Sequence, residues 1–313
     1  MTKIEKVAVI GAGGFLGTNL VRFLTSRVPD VRCYGRRCSF PEALQGLPWI
    51  TGDMTDDQLA QTVAGCDVVI HLASTSTPAT ADLDIVADAN ANVIGSLRLL
   101  EHCVASHVRR VVFLSSGGTV YGVPTVIPTP ESAPTDPITA YGVAKLSVEK
   151  YLEIFRRRHG LDYRILRVGN IYGPYQTADK GQGVVAAFLA RALTKTPLDI
   201  WGDGQVVRDY VFISDVAEAI WAAMRHAGQP RVFNIGGGTG ASVLQIAAAI
   251  EVLVEHPLER RFHPARPVDI PTSILDHALA TRELQWIPKV SLDQGLARTM
   301  EWMRQYRSGR TGW

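Results

Sequence analysis

Short runs that are apolar at every position alternate, through the first half of the chain, with longer segments of helical periodicity. Val7-Ala8-Val9-Ile10 is such a run and stops at Gly11. It predicts a strand covered on both faces, as in a parallel sheet. From Thr18 to Arg27 the residues Leu20, Phe23 and Leu24 fall on one side of a helix. Val31 to Tyr34, Asp67 to Leu72 and Arg110 to Ser115 predict further strands, with a helical stretch from about Val86 to His107 between the last two. Tyr141 to His159 reads as a helix and Tyr163 to Val168 as a strand. Alternating strands and helices predict an α/β fold with a Rossmann-like, doubly wound parallel sheet.

Beyond Gly169 glycine, proline and aromatic residues become frequent, while helical periodicity continues at Val184–Thr194, Ser214–His226, Ser242–Val254 and Leu292–Tyr306. Tyr210–Phe212 and Val232–Ile235 read as strands that return the chain to the sheet. The expected organisation is a dinucleotide-binding domain over residues 1–168, with return segments at about 209–236, and a smaller α/β substrate-binding lobe from 169–208 and 237–313. Val123 to Thr139, rich in proline and threonine, reads as a surface loop beside a site. With 313 residues, 46% apolar and 20% charged, the composition is that of an ordinary globular protein. A net charge of +2 argues against a dedicated nucleic-acid binder, and no window approaches a membrane span. Cys33, Cys38, Cys66 and Cys103 lack metal-site spacing, so reduced thiols, no metal and a cytoplasmic location are expected. The first apolar run is short and leads straight into glycines, so no signal peptide is expected.

Those glycines carry chemistry. Gly11, Gly14 and Gly17 are spaced GxxGxxG between the first strand and first helix. A turn of this kind lets backbone N–H groups approach a pyrophosphate, and the helix N-terminus favours its negative charge. The second strand ends at Gly35-Arg36-Arg37, without the acid that usually bonds the ribose 2′-hydroxyl of NAD. Two guanidiniums there suit a 2′-phosphate and lean towards NADP; two solvated arginines are the plainer reading. Asp53, after a third strand, is a candidate partner for the adenine amino group. Tyr141 and Lys145 stand four residues apart on one helical face. A neighbouring ammonium and a cationic nicotinamide favour the phenolate, so the phenol is expected to titrate low enough to exchange protons with a substrate hydroxyl.

With these motifs in place the chain resembles the extended short-chain dehydrogenase/reductases of the NAD-dependent epimerase/dehydratase family, and within it the UDP-glucose/UDP-galactose-type 4-epimerases. The resemblance runs over nearly the whole chain: Gly11–Gly17, Gly52-Asp53, His71-Leu72-Ala73, Asn92-Val93, Ser115–Gly122, Tyr141–Lys145, Arg167 with Asn170, Gly202-Asp203-Gly204, Arg208-Asp209-Tyr210, Asn234-Ile235-Gly236 and Arg266–Asp269. It implies a bound nicotinamide cofactor, held by Gly11, Gly13, Gly14, Phe15, Leu16, Gly17, Met54, Leu72, Ala73, Asn92, Ser115, Tyr141 and Lys145. It implies that Tyr141 moves the proton while Lys145 also holds the nicotinamide ribose. A nucleotide-diphosphate sugar, UDP-linked, would meet Ser74, Ser116, Asn170, Arg208, Arg266 and Asp269. It further implies a homodimer formed by a four-helix bundle from about Val86–His107 and Tyr141–His159.

The departures narrow the reaction. The Ser or Thr that family members carry two residues before the Thr-Val-Tyr element is Gly117, which leaves Ser116 or Thr119 to offer the hydroxyl. The Asp-Glu pair of the 4,6-dehydratases is replaced by Gly118 and Thr119, so elimination lacks its acid and base. The glutamate of the decarboxylases is missing too, as are the extra Cys and His of GDP-fucose-type synthases. What remains is oxidation and reduction at one carbon, as in a 4-epimerase or an NADP-dependent 4-keto-sugar reductase. A non-catalytic dinucleotide sensor on the same fold is the reading from another class.

Overall fold

The computed structural model describes residues 3–178, 183–266 and 270–308. Its central sheet begins with β1 (Lys6–Ile10), β2 (Asp30–Gly35), β3 (Trp49–Thr51), β4 (Val68–His71), β5 (Arg110–Ser116) and β6 (Asp162–Val168). The chain then leaves the sheet for β7 (Asn170–Tyr172), β8 (Leu198–Trp201) and β9 (Val207–Phe212), and returns as β10 (Val232–Ile235). The seven strands lie side by side in the order β10-β6-β5-β4-β1-β2-β3, all parallel. From β1 the chain winds outward to β3 and then jumps back to β4 on the other side of β1. That reversal opens a crevice at the carboxyl ends of β1 and β4, the usual ligand position in such sheets.

Helices cover both faces, as fully apolar strands require. Val7 and Val9 point into a core with Leu20, Val21 and Leu24 of α1 (Phe15–Leu24). Ala8 and Ile10 point the other way, onto Leu59 and Val63 of α2 (Gln58–Val63). That second face also takes α4 (Gly95–Ala105) and α5 (Ala140–His159), while α3 (Ile85–Asp88) packs on α5. The long helix expected from Val86 to His107 is divided: a π-helical stretch, Ala89–Ile94, separates α3 from α4. The reason lies in its polar side chains. Asn92 bonds Asp88, Ser76 and the Thr75 backbone, and Ser96 donates back to the Asn92 carbonyl, so side chains compete with the regular backbone ladder.

The lobe is built by α6 (Val184–Thr194), then α7 (Ile213–Arg225) crosses back under the central sheet, and α8 (Val243–Val254), α9 (Ala278–Leu284) and α10 (Leu292–Ser308) follow. Phe188 and Leu189, Ile246 and Ile250, and Leu296, Met300 and Met303 form the lobe's own core. Three strands complete it, β11 (Gly240–Ser242), β12 (Arg260–His263) and β13 (Thr272–Ser273). β9 does not return to the central sheet as its apolar end suggests; it pairs with β7, β11 and β13. The deflection occurs at Gly169, where a Cβ would stand 2.8 Å from the Asp209 carbonyl oxygen. Only glycine lets β6 run on into β7 with β9 so close.

Candidate active site

At the crevice the glycines of the first turn have different jobs. A Cβ on Gly13 would lie 2.0 Å from the Arg37 carbonyl oxygen, and one on Gly17 2.3 Å from that of Gly11. Gly11 has φ +93° and sits against the Ala73 backbone, where a Cβ would come within 2.7 Å. Gly14 is different: its nearest neighbour to a built Cβ is 3.8 Å away. It is also the N-cap of α1 and no side chain caps the helix there. The first amides of α1, from Phe15, Leu16 and Gly17, are therefore left for another acceptor, which fits a pyrophosphate. Phe15 and Leu16 themselves turn towards the lobe core.

Along the same edge, Arg36 is exposed and stands 3.9 Å from Asp53, and Arg37 is exposed. The Asp53 carboxylate accepts the Met54 N–H at 2.6 Å. Met54 is buried, and a Cβ on Gly95 would come within 2.7 Å of its own, so Met54 serves first as packing for α4.

Tyr141 and Lys145 occupy one face of α5, capped at its start by the Thr139 hydroxyl, which accepts the Gly142 N–H. A small cavity is lined by both, together with Ala73, Ser74, Asn92, Ser96 and Phe113. The buried Lys145 ammonium donates to the Leu114 carbonyl at 3.1 Å and lies 5.6 Å from the Tyr141 ring centroid. Burial brings this lysine down to about 8, although Asp88 and Glu149 oppose the shift. Tyr141 runs against the sequence expectation. Burial pushes its phenol up to about 12, and the Asp88 carboxylate adds to the rise while a hydrogen bond with Ser74 works the other way. Lys145 is turned to a backbone carbonyl, and its charge does not overcome desolvation.

Two of the expected cofactor residues have their side chains engaged elsewhere. Asn92 holds the 75–76 loop and Asp88. Ser115 donates to Glu149 at 2.5 Å, and Glu149 is salt-bridged to Arg167 at 2.6 Å in the buried interior. Arg167 donates in turn to the Tyr121 hydroxyl, which donates to Asn234. The side-chain polar atoms of Ser115 and Asn92 thus brace the surrounding elements. Asp88 did not stand out in the sequence, since no local spacing links it to Tyr141; Glu149 was missed although it follows Lys145 by four residues on the same helical face.

The absent hydroxyl at Gly117 has a steric explanation. A Cβ there would meet Leu275 Cδ1 at 2.5 Å and Cδ2 at 2.8 Å. Of the two substitutes, Ser116 is half-buried, and the Thr119 hydroxyl is buried without a hydrogen-bond partner. Buried hydroxyls seldom stay unpaired, so Thr119 has capacity for a ligand or a water.

Asn170, Arg208 and Arg266 come together in one cleft of about 790 Å³ between β7, β9, α6 and α10. Asn170 Oδ1 is 3.7 Å from where a Gly118 Cβ would be, and Gly142 packs on the Thr119 carbonyl. The 117–119 segment thus lies between Asn170 of this cleft and the start of α5, which carries Tyr141. Arg208 donates to the Val207 and Ile270 carbonyls, and Arg266 lies 4.2 Å over the Trp201 ring. Sequence reading missed Trp201, Tyr210, Trp302 and Tyr306, aromatic wall residues of this cleft that the return of β9 and α10 assembles from distant segments. It also gave Asp209 no role: buried, it accepts N–H groups of Gly237, Gly238 and Leu275 and ties β9 to the loops around it. Asp269 lies outside the described residues.

Residues 7–236 match the NAD dependent epimerase/dehydratase family. The chain belongs to that family. It is 36% identical to a UDP-glucose 4-epimerase of Mycolicibacterium smegmatis over 96% of this chain and 98% of the relative. A dTDP-4-dehydro-6-deoxyglucose reductase of Escherichia coli is 29% identical over 95% of this chain and 97% of the reductase. Among solved structures, the UDP-glucose 4-epimerase of Thermotoga maritima with UDP-glucose superposes with a TM-score of 0.92 at 37% identity, over 96% of this chain and 99% of the other. The Thermus thermophilus UDP-glucose 4-epimerase complex with NAD gives 0.88 at 30% identity, over 96% and 99%. Among the described residues, no helix is long and apolar enough to cross a membrane.

Proposed function

We propose that this chain is a UDP-sugar 4-epimerase, inverting C4 of a UDP-linked hexose with a nicotinamide dinucleotide. One observation carries the reading: Tyr141 and Lys145 share a pocket with Ala73, the residue packed on the Gly11 turn, while the neighbouring cleft gathers Asn170, Arg208 and Arg266. The similarity to named UDP-glucose 4-epimerases over nearly the full chain supports it. The dinucleotide, when bound, supplies the hydride acceptor and donor. Tyr141, as the phenolate that a bound nicotinamide cation would favour, takes the proton from the sugar 4-hydroxyl and returns it, and Lys145 provides positive charge one turn away. Ser116 or Thr119 bonds the sugar oxygen. Arg208 and Arg266 hold the diphosphate and uridine, a role that suits permanently charged, forked donors. Gly118 and Thr119 offer no second acid–base pair, so the oxidised sugar is reduced again without losing water.

NAD is the cofactor named with the Thermus thermophilus structure. Arg36 and Arg37, with no acid at the end of β2, favour the second reading, an NADP-dependent keto-sugar reductase. Incubation with UDP-, dTDP- and GDP-hexoses, with the cofactor released by denaturation and identified, separates the two. The epimerase forms the C4 epimer of a UDP-hexose with no net cofactor change; stoichiometric consumption of NADPH overturns it. We further infer a homodimer through α3, α4 and α5. The four free cysteines, three of them buried, suit a reducing compartment such as the cytoplasm.

A further inference from the structure

The turn from Gly173 to Gln176 has a backbone that its sequence disfavours. The Gln176 N–H donates to the Gly173 carbonyl at 3.3 Å, Pro174 is second and Tyr175 third, and Tyr175 has φ +70°. Proline second and positive φ third define a type II turn, whose third position is ordinarily glycine. A tyrosine kept there against backbone strain calls for a role for its ring.

The ring sits at a junction. It packs edge-on against Phe40 at 5.0 Å and lies 5.2 Å from Trp302, which stacks on Tyr306 at 4.9 Å. Phe40 touches Trp302 and Tyr306 as well. From α1, Arg22 donates to the Tyr175 hydroxyl with its guanidinium 5.4 Å over the ring, and Asn19 donates to the Pro174 carbonyl at 2.8 Å. Each partner belongs to a ligand-facing element. α1 starts at the glycine cradle. Phe40 closes the loop that carries Arg36 and Arg37, and its neighbour Ser39 donates to the Gly13 carbonyl at 3.0 Å. Trp302, Tyr306 and Gln176 line the arginine cleft.

We propose that Tyr175 is a positioning residue that couples the two sites, so that a nucleotide in the cleft steadies α1 and the 36–40 loop around the dinucleotide. The proposal rests on the assignment of those sites made above. A ligand that presses on Trp302, Tyr306 and Gln176 favours the packed cluster, and the packed cluster holds Phe40, Asn19 and Arg22 in place. By linkage each ligand then tightens the other.

The test loads the protein with NADH, dilutes it, and follows NADH release by fluorescence with and without saturating UDP. Tyr175→Gly removes the ring and suits the turn. Arg22→Met leaves the turn untouched and decides the matter by the same criteria should Tyr175→Gly not fold. UDP is expected to slow release at least about fivefold in the parent protein, and less than about twofold in either variant. Slowing that persists in the folded variants overturns the proposal. So does parent protein that binds UDP and NADH without mutual effect. A parent protein that fails to bind UDP at all overturns the functional assignment together with it.

Discussion

A phenol is neutral at physiological pH even when unperturbed, and in the cofactor-free pocket burial and Asp88, outweighing the hydrogen bond from Ser74, push Tyr141 further up to about 12. Sequence reading identified the Tyr–Lys pair from its spacing and expected a fall that counted on a nicotinamide cation beside the ring; burial, which spacing does not record, sets the opposite direction in the protein by itself. The prediction is spectroscopic. In the cofactor-free protein the phenolate absorbance that Tyr141→Phe removes emerges only as the pH nears 12. Saturating NAD, which brings a cation against the ring, moves that signal to lower pH. The same variant should lower kcat by about 10²–10⁴ and leave UDP affinity unchanged; activity equal to the parent's would remove Tyr141 from the chemistry. Gly117 shows the same limit. Its spacing marked a missing hydroxyl, whereas the cause, Leu275, arrives from far along the chain. Gly117→Ser is expected to cost about 1–3 kcal/mol of stability by overpacking, read from urea denaturation. Gly117→Ser should cost less in a Leu275→Ala background than in the parent protein, and an equal cost in both backgrounds would mean that Leu275 is not the obstacle.

At the scale of elements, β1, β4, β5 and β6 were legible because each is buried on both faces and so gives a largely apolar run, whereas α2, only six residues long, was not read. The π-helical stretch was not, because its cause is a set of side-chain hydrogen bonds to Asp88 and Ser76 that local periodicity does not record. β9 was legible as a strand but not by partner, since the deflection at Gly169 depends on Asp209. β4 and α4 are joined by His71, whose Nε2 lies 2.8 Å from the Ser96 hydroxyl. That hydroxyl already donates to Asn92, so Nε2 carries the proton and the buried Nδ1 has no partner. Burial, reinforced by the Lys145 charge, brings His71 down to about 3 from an ordinary 6.5. The ring is therefore neutral in the folded protein while the unfolded chain takes up a proton below 6.5. Its contribution to stability is full above about pH 6.5 and falls steadily as the pH drops towards 3. Urea midpoints measured across that range should decline less steeply in His71→Gln than in the parent, and parallel curves would show that His71 is not the titrating group.

For the molecule as a whole, the unburied apolar surface is concentrated where α3, the π-helical stretch and α5 lie side by side. Leu83, Ile85, Val86 and Ile94 are exposed on one side of this region, the first by 83% and Val86 by 71%. Val143, Tyr151 and Ile154 are exposed along α5, at a spacing that forms a stripe on one helical face. Scattered apolar residues are normal on a surface, but two adjoining elements with aligned apolar stripes are what a symmetric helix-bundle interface presents. Neither stripe faces the arginine cleft, whose lining comes from β7, β9, α6 and α10, so substrate binding does not account for them. The homodimer proposed above would account for them, because a two-fold axis would let each stripe meet its equivalent and withdraw both from water. The protein should therefore run as a dimer in size exclusion with light scattering. Val86→Asp combined with Ile154→Asp places two unpaired carboxylates per subunit in the contact, where burial without a partner is costly, and should shift the species to monomer with its fold retained. A parent protein that is monomeric at micromolar concentration, or a doubly charged variant that stays dimeric, would assign this face to some other purpose.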